Sequence, residues 1–188
     1  MEHRPILAAV LCAVSICAAG CEGIDHAAEK EFLGSGGAAR VSVYPAIVRR
    51  AGITYDADEA GRLAQGLVDQ DLARAVVARD EVPMSAGWKA NQAAMWSRSV
   101  REFRVWLAAH PDTSDYAVLP EYLIQPRGAV GIHVYVLDRQ GRLAFGRLYN
   151  SHWKEMRGAL GRGPSVCTDV LLTELRVRLG APDGRGKR

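Results

Sequence analysis

Three stretches decide the fold: Tyr116-Ala-Val-Leu-Pro-Glu-Tyr-Leu-Ile124, Ala129-Val-Gly-Ile-His-Val-Tyr-Val-Leu-Asp138 and Arg142-Leu-Ala-Phe-Gly-Arg-Leu-Tyr149. They are rich in β-branched and aromatic residues and alternate with the two-residue period of strands. Asp138-Arg139-Gln140-Gly141 joins the last two and has the composition of a hairpin turn. Three successive antiparallel strands are therefore expected. Pro120 lies inside the first of them and, lacking a backbone N–H, points to an edge position or a bulge.

Working outward, Arg40 to Val48 alternates as a further strand that ends near Pro45. Asp56-Ala-Asp-Glu59 has capping-box spacing, and Ala60, Leu63, Ala64, Leu67 and Val68 then recur at helical intervals. Arg74 to Ala78 is short enough for a strand. Asn91 to Ala109 reads as a long helix stopped by His110-Pro111, with Trp96, Val100, Phe103, Trp106 and Leu107 on one face and Arg98, Arg101 and Arg104 on the other. The arginines read as a solvated surface, or as contacts for anionic lipid headgroups. Pro164 to Leu179 is a last helix, with Val166, Val170, Leu171, Leu175 and Leu179 along one face. The order β-α-β-α-β-β-β-α predicts the α+β class, as a single two-layer domain over residues 40–180 with helices packed on a mixed sheet.

Both ends differ from that middle. Residues 1–20 carry a short polar start with Arg4, an apolar run from Ile6 to Ala19 and small residues, which is the pattern of a secretory signal. The run is short for a membrane span of roughly 20 apolar residues. Its end, Ala18-Ala19-Gly20-Cys21, resembles the lipobox of bacterial lipoproteins. The resemblance implies cleavage between Gly20 and Cys21, acyl chains such as palmitate on Cys21, and a membrane anchor through them. Glu22 does not match the aspartate that marks inner-membrane retention, so the outer membrane, facing the periplasm, is expected. Residues 21–39 contain Gly34-Ser35-Gly36-Gly37 and read as a lipidated flexible tether; residues 181–188 read as a disordered tail.

Composition bounds the function. A net charge of +3 over 188 residues, without a basic stripe, speaks against nucleic acid as a partner. Of four cysteines, Cys12 and Cys17 fall in the signal and Cys21 at its end, leaving Cys167 alone in the domain with no C-x-x-C pair for metal or redox work. No G-x-S-x-G, P-loop or dinucleotide glycine pattern occurs, and no cofactor is implied.

The candidate chemistry is correspondingly thin. Cys167 with His133 or His152 as base and Asp138 as orienter would form a thiol nucleophile, but Cys167 sits in the first turn of an apolar helix, where thiols are usually packing groups. His110, Asp112, His133 and His152 are metal-capable but lack ligand spacing, and His133 reads as half-exposed on its strand. Asn150-Ser-His-Trp153 is either a binding loop or a turn with a helix cap. Trp88, His152 and Trp153 are the candidate partner contacts.

The succession Arg40-Val-Ser-Val-Tyr-Pro45, a capped helix, Ala75-Val-Val77, a long helix, Ser114-Asp-Tyr-Ala-Val-Leu-Pro-Glu-Tyr122 and Val134-Tyr-Val-Leu-Asp-Arg-Gln-Gly-Arg-Leu143 resembles the periplasmic fold of the TolB amino-terminal domain, CsgG and LpoB. Where that fold has a glycine after the strand, this chain has Pro120-Glu121. The resemblance implies a non-enzymatic protein that binds or assembles with another periplasmic or outer-membrane protein. The alternative is a thiol- or metal-dependent hydrolase acting on cell-envelope material.

Overall fold

The sheet is organised around the interior strand β5 (Tyr116–Gln125). The computed structural model describes residues 23–86, 91–126, 128–150, 153–154, 156 and 162–180. On one side β5 pairs antiparallel with β6 (Gly128–Asp138), which in turn pairs with β7 (Leu143–Asn150). On the other side it has two neighbours in succession. Its first half runs parallel to β1 (Arg40–Val43) and its second half parallel to β2 (Ala46–Arg49). The sheet therefore forks: β1 carries β4 (Arg74–Val77) at its outer side, and β2 carries β3 (Ile53–Asp56).

Tyr44-Pro45 occupies the fork and splits the strand expected over residues 40–48. The same break explains Pro120, which is neither at a sheet edge nor in a bulge; the register shift falls between Leu123 and Ile124. The Val118 carbonyl accepts from Tyr44 N–H, so residues of that parity in β5 turn their backbone polar groups toward β1 and β2. Pro120, two residues on, aims its missing donor at the gap between them. An interior proline thus removes no ladder bond.

The expected α+β class and helix-strand order hold. The helices are α1 (His26–Gly34), α2 (Ala57–Asp69), α3 (Gln92–Ala109) and α4 (Pro164–Leu179). Helices α1, α2 and α4 share one apolar core on the sheet face presenting Val41, Val43, Val118, Tyr122, Val134 and Phe145. Helix α3 covers the opposite face, where Val100 and Phe103 meet Leu119, Tyr135 and Leu137. Gly146 of β7 makes room there for Trp96, since a Cβ would come within 2.7 Å of the indole. Among the described residues no helix is long and apolar enough to cross a membrane.

One expectation is corrected here. The segment read as a flexible tether is folded from residue 25 onward. Asp25 caps α1 by accepting from the N–H groups of Ala27 and Ala28, and its own N–H donates to the Leu143 carbonyl. Phe32 is buried with its ring 4.8 Å from Tyr116 and 5.9 Å from Phe145. The glycines that looked like spacer are packing and turn residues. Gly36 takes φ +53°, and a Cβ on Gly37 would fall 2.5 Å from the Asp71 carbonyl oxygen. The signal, residues 1–20, and the tail, residues 181–188, lie outside the described residues.

Candidate functional site

Strand β4 is the outermost strand of its branch and keeps its apolar side chains in water: Val76 is 58% and Val77 42% exposed. Its backbone orientation is set by β1. Arg74 N–H donates to the Ala39 carbonyl and Ala78 N–H to the Val43 carbonyl. Residues 74, 76 and 78 therefore turn their polar groups inward, and Ala75 and Val77 turn theirs outward. A groove of about 880 Å³ runs beside the strand, lined by Arg40, Val68, Asp71, Arg74, Val76 and Ser114 among others. An apolar, unpaired edge is a template for an added strand, and proteins usually blunt such edges. Here the flanking charges Arg74, Arg79 and Asp80 are exposed, and the valines between them are bare.

The second notable group is buried. Glu121 of β5 is fully enclosed on the α3 face and accepts from Arg49 Nε, Tyr135 Oη and, at 3.3 Å, Ser99 Oγ. His133 Nδ1, directly across the strand pair, lies 2.9 Å from Glu121 and 3.0 Å from Tyr135 Oη. Burial by itself would raise the Glu121 carboxyl, but the His133 hydrogen bond and charge, the Arg49 guanidinium and Tyr135 outweigh it and hold it down at about 2. Arg49 Nη1 continues to the Ser85 carbonyl at 2.8 Å, and Ser85 N–H donates to Glu102 of α3 at 3.0 Å. The cluster thereby ties β2, β5, β6, α3 and the 79–86 segment together at the fork. With its members enclosed, it locks elements together and offers no surface to a substrate.

Sequence reasoning missed Arg49, Glu121 and Ser99 as a group. The signal was present: a glutamate at an inward position of one strand, a histidine on the next and an arginine ending another. His133, expected half-exposed, is completely buried because Glu121 and Tyr135 satisfy its Nδ1.

The other expected groups are not brought together. Cys167 is buried on the face opposite His133, beside Tyr122 and Leu171. Burial, with the Glu59 charge, pushes its thiol up to about 12. Asp138 instead organises the hairpin, accepting from Gln140 N–H and from Arg142 through N–H and Nε. His110 stacks on Trp106 at 4.3 Å, and Asp112 accepts from Tyr44 Oη and Ser114 N–H. Among the described residues no group of three His, Cys, Asp or Glu side chains is placed to hold a metal ion. Arg98 pairs with Glu102 and Arg104 Nε donates to the Gly141 carbonyl, and none of the three arginines of α3 stands without a partner. Trp153 is 47% exposed, with its ring edge-on to Tyr149 at 5.7 Å. Gly20, Cys21, Trp88 and His152 lie outside the described residues.

No family model matches the chain, and no curated protein matches it. Among solved structures, a PelC dodecamer from Paraburkholderia phytofirmans superimposes with a TM-score of 0.42 at 13% identity, covering 79% of this chain and 91% of that one. A single-substitution variant of the same dodecamer gives a TM-score of 0.37 at 14% identity, over 73% of this chain and 88% of that one.

Proposed function

We propose that this chain is a non-enzymatic envelope lipoprotein, anchored through acyl chains on Cys21, whose domain binds or assembles with another periplasmic or outer-membrane protein through the free edge of β4. The observation that carries the binding half is the bare Val76-Val77 edge with outward-facing backbone at Ala75 and Val77. Strand addition to such an edge supplies main-chain hydrogen bonds for affinity and side-chain pockets for specificity. The anchoring half rests on the Ala18-Ala19-Gly20-Cys21 pattern after an apolar run, and the envelope context on that signal and on the resemblance to the TolB amino-terminal, CsgG and LpoB fold.

The binding half is tested with a photo-crosslinking side chain at Val76 in the full chain, expressed in its native envelope. A discrete crosslinked species that disappears when Val77→Lys is added is the expected result. Uniform, unspecific labelling, unchanged by Val77→Lys, would reject the edge as a contact surface. The anchoring half is tested by Cys21→Ala, which is expected to move the protein out of the membrane fraction; full membrane retention of that variant would reject it.

A further inference from the structure

The helices on the two faces of the sheet carry opposite charge. Helix α3 has Arg98, Arg101 and Arg104 against a single acid, Glu102, an excess of two positive charges. On the other face α1 holds two acids and one base, α2 three and one, and α4 two and two, an excess of three negative charges. The end of the sheet beside the C-terminus of α3 does not cancel this polarity. There Asp115 pairs with Arg40 and Arg139, Asp138 pairs with Arg142, and Asp112 accepts from Tyr44 and Ser114, so three acids meet three bases.

The chain enters the domain on the positive side. Ile24 packs against the cluster that holds Val100, Phe103 and Leu143, and Gly23 before it is exposed. Asp25 N–H donates to the Leu143 carbonyl, and Arg104 Nε donates to the Gly141 carbonyl at 2.7 Å. The entry point therefore lies beside the C-terminal half of α3. Three residue steps separate Cys21 from Ile24, about 10 Å at full extension, which is about one Debye length at physiological salt. The outer surface of that half-helix is Arg101, Val105 and Ala108, spaced to share one face and all exposed, Val105 to 67%.

We propose that the C-terminal half of α3 lies against anionic headgroups of the membrane that holds the anchor, with Arg101 and Arg104 toward the phosphates and Val105 between them. This rests on the anchoring reading above, since acyl chains on Cys21 are what bring this face to a bilayer. Each arginine keeps its partner within the domain. The attraction comes from net charge near the surface and requires no bond to be vacated. The negative excess of the other layer is repelled by the same surface, so both layers favour one orientation.

The test compares two exposed valines on opposite layers, Val105 of α3 and Val177 of α4. Each is changed to cysteine in the full lipidated chain and given a fluorophore; Cys167 is buried and does not compete for the label. The protein is reconstituted in vesicles of phosphatidylglycerol and phosphatidylcholine in equal parts, or of phosphatidylcholine alone, with a nitroxide quencher on the lipid headgroup. Quenching at Val105 and not at Val177, in the anionic vesicles and weakened by added salt, is the expected result. Arg101→Gln or Arg104→Gln should each lower the ratio of the α3-facing orientation to the others about fivefold, while Arg101→Lys and Arg104→Lys, which keep the charge, should retain it. Equal quenching at both valines, in protein that floats with the vesicles, would overturn the orientation and leave the anchoring reading standing. Quenching at Val105 that ignores phosphatidylglycerol, salt and both glutamine changes would overturn headgroup recognition. Protein that does not float with either vesicle would overturn the anchoring reading and this proposal with it.

Discussion

Arg49 and Glu121 form an enclosed ion pair at the point where β5 changes partner from β1 to β2. Neither charge has water to fall back on, so each depends on the other and on a small set of polar neighbours. Removing one member of such a pair leaves the survivor uncompensated, which costs about 3–5 kcal/mol, whereas replacing both by apolar groups of similar volume is often close to neutral.

Glu121→Leu is therefore expected to lower stability by about 3–5 kcal/mol, and Arg49→Met by a similar amount. The double variant should be less destabilised than the sum by at least about 2 kcal/mol. Urea denaturation of the four proteins measures this; additive losses would show that the pair is not energetically coupled.

Acid should act through the same carboxylate. Its ordinary value is 4.5 and the folded value is about 2, so the stabilisation is present above about 4.5 and is lost as pH falls toward 2. Glu121→Gln has no such proton to gain. The stability gap between wild type and Glu121→Gln should be full at pH 6 and shrink steadily between pH 4.5 and 2.5. A gap independent of pH over that window would mean that the carboxylate is not held charged by its neighbours.

Cys167 behaves in this structure as a small apolar group in the core shared by α1, α2 and α4. Burial keeps its thiol protonated, so alkylation at pH 8 should be at least about 100-fold slower in the folded protein than in urea. Labelling at similar rates in both conditions would place the sulfur at the surface.

Helix α1 packs the buried Phe32 ring against β5 and β7. Truncating Phe32 to alanine removes the contacts with Tyr116 and Phe145, with an expected loss of about 3–5 kcal/mol. Limited proteolysis of Phe32→Ala should then cut within His26–Gly34, which wild type should resist. Equal cleavage of the two proteins would show that α1 is not docked.

The long alternating runs made β5, β6 and β7 legible, and helical spacing did the same for α2 and α3, with a capping box opening α2 and His110-Pro111 closing α3. What failed depended on partners far away in sequence. Pro120 marks an edge only if its neighbour is continuous, and no local pattern reveals that β1 stops at Val43 opposite it. Gly34-Ser35-Gly36-Gly37 has a linker's composition, and only the close approach to Asp71 shows that small size is what the fold requires. Ile53–Asp56 escaped notice because a four-residue strand carries too few alternations to stand out. At the candidate site, Val76 and Val77 were readable as strand residues, but their exposure follows from β4 being placed last, which is a property of topology.

The bond from Asp25 N–H to the Leu143 carbonyl fixes where the chain becomes part of the rigid body. On the lipoprotein reading, that point lies four residues past the acylated position, a reach of roughly 14 Å at full extension. So short a leader would deny the domain free tumbling above the bilayer. It would sit nearly flush with the headgroups, with the Leu143 end of β7 turned toward them, and any encounter with a partner would become a search in two dimensions at a restricted orientation.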